Sequence, residues 1–281
     1  MYERMPTQLD PLSLAGDLLY AVKTAGEPGV ESRSTASADG APGSGTGSGT
    51  GSDLGGDDAD RLRERLATLE RSRLSRALST RERTLSFWLN CYNAYAQLRL
   101  EEEPDVLEGG VLERWKFFGR DRVPVAGCWL SLTDIEHGLL RSSKHPWGFG
   151  YLPRPFPSTF EREFRLEQCD PRIHFALCRG AENSPPIAIY SPDDVDEELD
   201  IAIEWFLEEN ADYDPEANVA TIPRFFRRYR GDFGGRRGIV DFLRKYNAIP
   251  GDAAPALEYE ASANAPDFDG DLDLEMDELR R

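Results

Sequence analysis

The sequence predicts an α+β fold: a single globular domain of several helices packed on a small sheet. Three observations predict it. Two segments, Arg81 to about Leu100 and Asp193 to Glu209, carry apolar residues at helical spacing. Strand-like runs are short and few, at Val123–Leu130, Ile173–Cys178, Ile187–Tyr190 and the start of Val219–Tyr246. The helices bracket these runs irregularly, so no repeated βαβ unit is indicated.

Taken in order, residues 1–28 form an N-terminal helical segment, with Leu14, Leu18, Leu19 and Val22 on one face and Gly26 and Pro28 as stops. Residues 29–59 read as a disordered Gly/Ser linker with almost nothing to bury. The globular domain is expected over 60–249, and 250–281 as an acidic disordered tail. Within the domain, Asp60–Leu78 reads as one surface helix. Ser79 with Glu82 makes a capping box for the next helix. That helix is apolar on nearly every side and so belongs in the interior, with Asn90 and Asn93 one turn apart inside it. Buried amides need defined partners. They either orient a catalytic group or tie down a neighbouring loop.

Pro124 and Gly127 mark an edge or bulged strand. Ser131 with Asp134 caps a further helix, in which His137 and Arg141 share a face. A like charge beside an imidazole lowers its pKa, so His137 is expected neutral and able to act as a base. Ser142–Asp170 reads as an ordered surface loop, with His145 a solvated residue on it. Asp170–Pro186 opens on a turn at Pro171, runs through an alternating strand that carries His174 and Cys178, and ends in a loop holding Ser184.

Composition narrows the setting. The 281 residues have a formal charge of −18 and a pI near 4.7. Only Lys23, Lys116, Lys144 and Lys245 among the 33 basic residues are lysines. An acidic, arginine-rich surface of this kind is the style of a halophilic archaeon: carboxylates stay hydrated in molar salt, where a Debye length of about 3 Å screens their repulsion. The acidity speaks against nucleic acid as a partner. No secretory segment opens the chain and no run reaches the length of a membrane span, so no membrane is expected and the location is expected to be cytoplasmic. Four cysteines, Cys91, Cys128, Cys169 and Cys178, form no CxxC pair. No cofactor and no metal are expected: His137, His174 and Glu136 have no recognised ligand spacing.

Several motifs then occur in one order: Phe87-Trp88-Leu89-Asn90-Cys91-Tyr92-Asn93-Ala94, Ser131 to Arg141, Asp170 to Leu177, Ser184-Pro185-Pro186, and Arg228-Tyr229 with Asp232-Phe233-Gly234. Together they resemble the "domain of unknown function 547" family over about Arg81–Tyr246. The resemblance implies no agreed activity. Plant members look like leucine-zipper-bearing interaction proteins, and the family is similar to papain- or transglutaminase-like thiol enzymes. In many members the loop after the His-Phe-Ala-Leu segment carries two cysteines. Here Arg179 stands at the first and Ser184 at the second, and Cys178 is one position off.

Two functions fit. One is a binding or scaffold protein with a polar cleft, taking an unknown protein or small-molecule ligand. The other is a hydrolase or acyl-transferase with Ser184 or Cys178 as nucleophile and His137 or His174 as base. In it Asn90, Asn93 or Glu136 would orient the base, and Arg141 or backbone amides would be the electrophilic donors.

Overall fold

A computed structural model describes residues 10–25, 54–179 and 188–260. Helix α1 (Pro11–Ala25) buries Leu14, Leu18, Leu19 and Val22, as its spacing predicts. Two helices replace the one expected over Asp60–Leu78: α2 (Leu54–Ala67) and α3 (Arg71–Ala77). The break is made by tertiary hydrogen bonds, because the carbonyls of Leu66 and Ala67 accept from the N–H groups of Ala126 and Gly127 at 2.8 Å each. Helix α4 (Arg81–Glu102) is buried without interruption from Thr84 to Ala96. Its cap is Thr80, whose side chain accepts from Arg83 N, one residue later than the predicted Ser79.

Helix α5 (Val111–Gly119) leads into β1 (Val123–Val125) and β2 (Cys128–Leu130). The predicted single bulged strand is instead an antiparallel hairpin. Its two-residue turn has φ of 49° at Ala126 and 73° at Gly127, a geometry that glycine makes inexpensive. The loop Ser142–Asp170 contains a short helix, α6 (Thr159–Phe164), capped by Ser158 accepting from Glu161 N at 3.0 Å. Helix α7 (Val195–Asn210) buries Val195, Leu199, Ile203, Phe206 and Leu207, the predicted face.

A second sheet has the order β3-β4-β5, from β3 (Asp212–Asp214), β4 (Val219–Pro223) and β5 (Ala256–Glu260). Between β4 and β5 lie α8 (Phe225–Arg228) and α9 (Gly235–Lys245). The tail expectation is corrected here. Residues 256–260 are not disordered but pair in parallel with β4, which lies between two strands and buries Ala220 and Ile222.

The expected strand at Ile173–Cys178 is also corrected. Pro171–Phe175 is a 3-10 turn, capped by the Asp170 side chain accepting from Arg172 N. The alternation that suggests a strand has another origin. Ile173 packs in the core around α4, while Phe175 packs in a second, aromatic core with Phe206, Phe226 and Phe233. Residues 188–190 have no strand either.

The segment 146–152 lies against the turn after α8, where Gly231 N donates to Phe149 O at 2.8 Å. Gly150 has φ +81°, and a Cβ there would fall 2.6 Å from Asp232 N. Gly150→Ala is therefore expected to lower stability by about 2–3 kcal/mol through left-handed strain and backbone overlap, measured by urea unfolding. A loss below about 0.5 kcal/mol would show that the turn can shift aside.

Candidate functional site

The site is built where the segment after β2, the 171–175 turn and the segment after α8 meet. Ser131 and Asp134 form the predicted reciprocal cap: Ser131 N donates to Asp134 Oδ2 at 3.1 Å and Asp134 N to Ser131 Oγ at 3.0 Å. Asp134–Leu140 then winds as a π-helix, with Arg141 N donating to Glu136 O at 2.8 Å. Such wide turns recur at functional sites. This one carries Glu136, His137 and Arg141 inward.

Four ionised side chains and two histidines form one cluster. Asp232 Oδ2 accepts from Arg141 Nε at 2.7 Å and from His174 Nε2 at 2.9 Å. Glu136 Oε1 accepts from Arg179 Nη2 at 3.0 Å and from the Tyr229 hydroxyl at 2.9 Å. The Tyr229 ring lies between the two halves, stacked on His174 at 3.9 Å with the Arg141 guanidinium 4.5 Å from its centre. The side chains of Arg141, Asp232 and His174 are fully enclosed. Two guanidinium groups face two carboxylates, so the cluster balances with both imidazoles neutral.

The electrostatics follow from this packing. Burial raises the carboxyl pKa values, but the cations outweigh it. Arg179 holds Glu136 well below the usual range, and the His174 N–H with Arg141 holds Asp232 at about 2. Burial lowers His137 to about 3, with Glu136 opposing and Arg141 assisting. Burial likewise lowers His174 to about 4. His137 is thus neutral, as expected, but burial is the larger cause and Arg141 on its face only assists.

Neither ring nevertheless offers a free lone pair. Arg141 Nη1 is 2.6 Å from His137 Nδ1. A guanidinium cannot accept, so Nδ1 is the acceptor and the proton sits on Nε2. In His174 the carboxylate fixes the proton on Nε2, and Nδ1 faces Arg179 Nη2 at 3.4 Å. The asparagines do not join the cluster. Asn90 bonds both backbone groups of Tyr190, at 2.8 and 2.9 Å. Asn93 donates to Ala176 O at 2.9 Å and accepts from Cys178 N at 2.8 Å. Each amide replaces a peptide partner and ties a loop to α4. Cys178 is buried beside this anchor, and Ser184 lies outside the described residues.

A cavity of about 70 Å³ adjoins the cluster, walled by Glu136, His137, Arg179 and Tyr229 on the inside. Arg114, Arg228 and the half-exposed indoles of Trp115 and Trp147 line its other walls. The Tyr92 hydroxyl reaches this pocket, fully buried and with no hydrogen-bond partner among the described residues. Three arginines against one carboxylate make the lining positive in a protein of net charge −18. Among the described residues no group of three His, Cys, Asp or Glu side chains is placed to hold a metal ion, and no helix is long and apolar enough to cross a membrane.

Sequence reasoning missed Asp232, Tyr229, Tyr92 and the role of Arg179. The signal for two of them was present, since Arg228-Tyr229 and Asp232-Phe233-Gly234 stand out as motifs, yet nothing local says that they reach His174 and Glu136.

A family model described as "Protein of unknown function, DUF547" matches residues 75–207. Tyr229 and Asp232 lie beyond the matched stretch. Comparison with curated proteins found no match. Comparison with solved structures found none either, so the likeness to papain- or transglutaminase-like enzymes stays an expectation of the resemblance.

Proposed function

Residues 75–207 of the chain belong to the DUF547 family of unknown function, and from the site they help to build we propose that this protein is a binding module. In this reading the pocket beside the buried cluster takes a small organic anion with a flat apolar part. The observation that carries the reading is the commitment of both histidines. Their lone pairs face arginines, and Arg179 Nη2 sits 3.4 Å from His174 Nδ1, at the position of the first cysteine in the family motif. A guanidinium there can attract an anion but cannot attack a carbonyl. The positive lining supplies the attraction, the indoles a flat apolar surface, and Tyr92 an unused hydroxyl.

Titration of Trp fluorescence with benzoate, against neutral benzyl alcohol, tests the reading. Saturable quenching by benzoate alone is expected, weakened at least tenfold in Trp147→Ala. Tyr92→Phe separates binding from folding. Removing an unpartnered buried hydroxyl should leave stability unchanged or raise it by up to about 1 kcal/mol, while weakening benzoate. Equal quenching by both compounds would end the anion reading.

The hydrolase or acyl-transferase reading is checked on the same samples with thiol-directed and fluorophosphonate probes in molar salt. The binding reading expects no labelling that depends on the site. Labelling lost in Ser184→Ala or Cys178→Ala, and also in His174→Ala, would replace it with an activated nucleophile.

A further inference from the structure

Outside the pocket, the molecule carries a basic face that its overall charge makes unexpected. Arg227, Arg230, Arg236 and Arg237 are exposed and close in sequence on α8, α9 and the turn between them. Several exposed or half-exposed arginines elsewhere are paired: Arg71 with Glu163, Arg120 with Glu103, Arg81 with Asp196. Arg227, Arg230 and Arg237 make no ion pair with a described residue. Exposed aromatics flank them. The Arg230 guanidinium lies 5.0 Å from the Phe149 ring centre and 5.7 Å from that of Tyr151, and both rings are about half exposed. Unpaired cations next to solvent-facing rings suit a segment that alternates acids with apolar side chains.

The chain itself contains such a segment, and it starts at this face. Strand β5 ends with Glu260 opposite Pro223, and Arg224 N donates to Glu260 O at 3.0 Å. Arg236 Nη2 donates to Pro255 O at 3.0 Å, just before the same strand. Burial raises the pKa of Tyr259, while the nearby charges of Arg236, Arg230 and Arg227 lower it. Past Glu260 the sequence runs through Asp267, Phe268, Asp269, Asp271, Leu272, Asp273, Leu274, Glu275, Met276, Asp277, Glu278 and Leu279. That is seven carboxylates interleaved with five apolar side chains, delivered to a group of exposed arginines that make no ion pair with a described residue.

The geometry points to residues 261–281 docking in cis across the face formed by Arg227, Arg230, Phe149 and Tyr151, with Arg237 close by in sequence at the start of α9. The carboxylates meet the guanidinium groups and the apolar side chains meet the rings. Because the segment is tethered at Glu260, its effective concentration at the face is on the order of millimolar, so a modest intrinsic affinity is enough to keep the face covered.

The test uses the full chain with a protease site inserted after Glu260, so that folding precedes cutting. A fluorescein-labelled peptide of residues 261–281 is titrated onto the cut, tail-free protein and onto the uncut chain. Polarisation should give a Kd on the order of 10–100 µM for the cut protein in about 0.1 M NaCl, and at least tenfold weaker binding to the uncut chain, whose own tail competes. The Arg227→Ser/Arg230→Ser/Arg237→Ser variant should bind at least tenfold more weakly. A peptide with its seven carboxylates replaced by amides should do the same without any change to the protein. Any of four results would overturn the proposal: no binding up to about 1 mM, equal binding of a scrambled peptide, equal affinity for cut and uncut protein, or a tail-dependent dimer in sedimentation. The third would mean a face left open for a separate partner, and the fourth exchange between two copies.

Discussion

Asp232→Ala is expected to lower the unfolding free energy by about 3–5 kcal/mol, the cost typical of removing one partner from a buried ion pair. The carboxylate is enclosed and accepts from both Arg141 and His174. Without it a buried guanidinium keeps its charge but loses its counter-ion, and His174 loses the acceptor that sets its tautomer. The loss should be largely recovered in Asp232→Ala/Arg141→Met, which removes both charges together, because much of the single-mutant cost is the orphaned cation. Urea unfolding of the two single variants and the double variant forms a complete cycle. A cost below about 1 kcal/mol for Asp232→Ala would mean that water reaches the cluster and screens its charges.

The second large effect is with pH. His137 and His174 have folded pKa values of about 3 and about 4, against about 6.5 in an unfolded chain. Both are depressed, so below pH 6.5 the unfolded state binds more protons than the folded state, and stability falls as pH falls. Between pH 7 and pH 5 each histidine should remove about 2 kcal/mol, or about 4 kcal/mol together. The loss should continue down to the folded values. The buried carboxylates Glu136 and Asp232 are also depressed and add their own loss at lower pH, as acid approaches the unfolded carboxyl range. Denaturant melts across this range should show an uptake approaching two protons on unfolding near pH 5, reduced by one in His174→Gln. A flat profile from pH 7 to pH 5 would show that the imidazoles are not held neutral.

These two results bear on function as well as stability. A cluster that stores its charges as two balanced pairs can position the pocket wall without taking part in proton transfer. Glu136, His137, Arg179 and Tyr229 belong both to the cluster and to the pocket lining. Binding there would thus be sensitive to variants that never touch the ligand.

Much of the scaffold was legible in the chain alone, wherever one element's own pattern was sufficient. The faces of α1 and α7 follow from apolar spacing, the burial of α4 from its lack of a polar side, and the Ser131–Asp134 cap from two residues three apart. The neutrality of His137 was legible only in part: Arg141, its helical neighbour, assists, but burial is the larger cause. Tertiary structure decided what depends on distant partners. The Ile173–Phe175 alternation reads as one face of a strand, and only two separate cores, which take these side chains apart, make it a 3-10 turn. Residues 256–260 look like the start of an acidic tail until β4 offers them a ladder of hydrogen bonds. Asp232 meets Arg141 and His174 across 91 and 58 residues, and Arg179 meets Glu136 across 43. A charge buried at such separation leaves no periodicity behind, because its energy comes from one partner and the exclusion of water rather than from any repeating face.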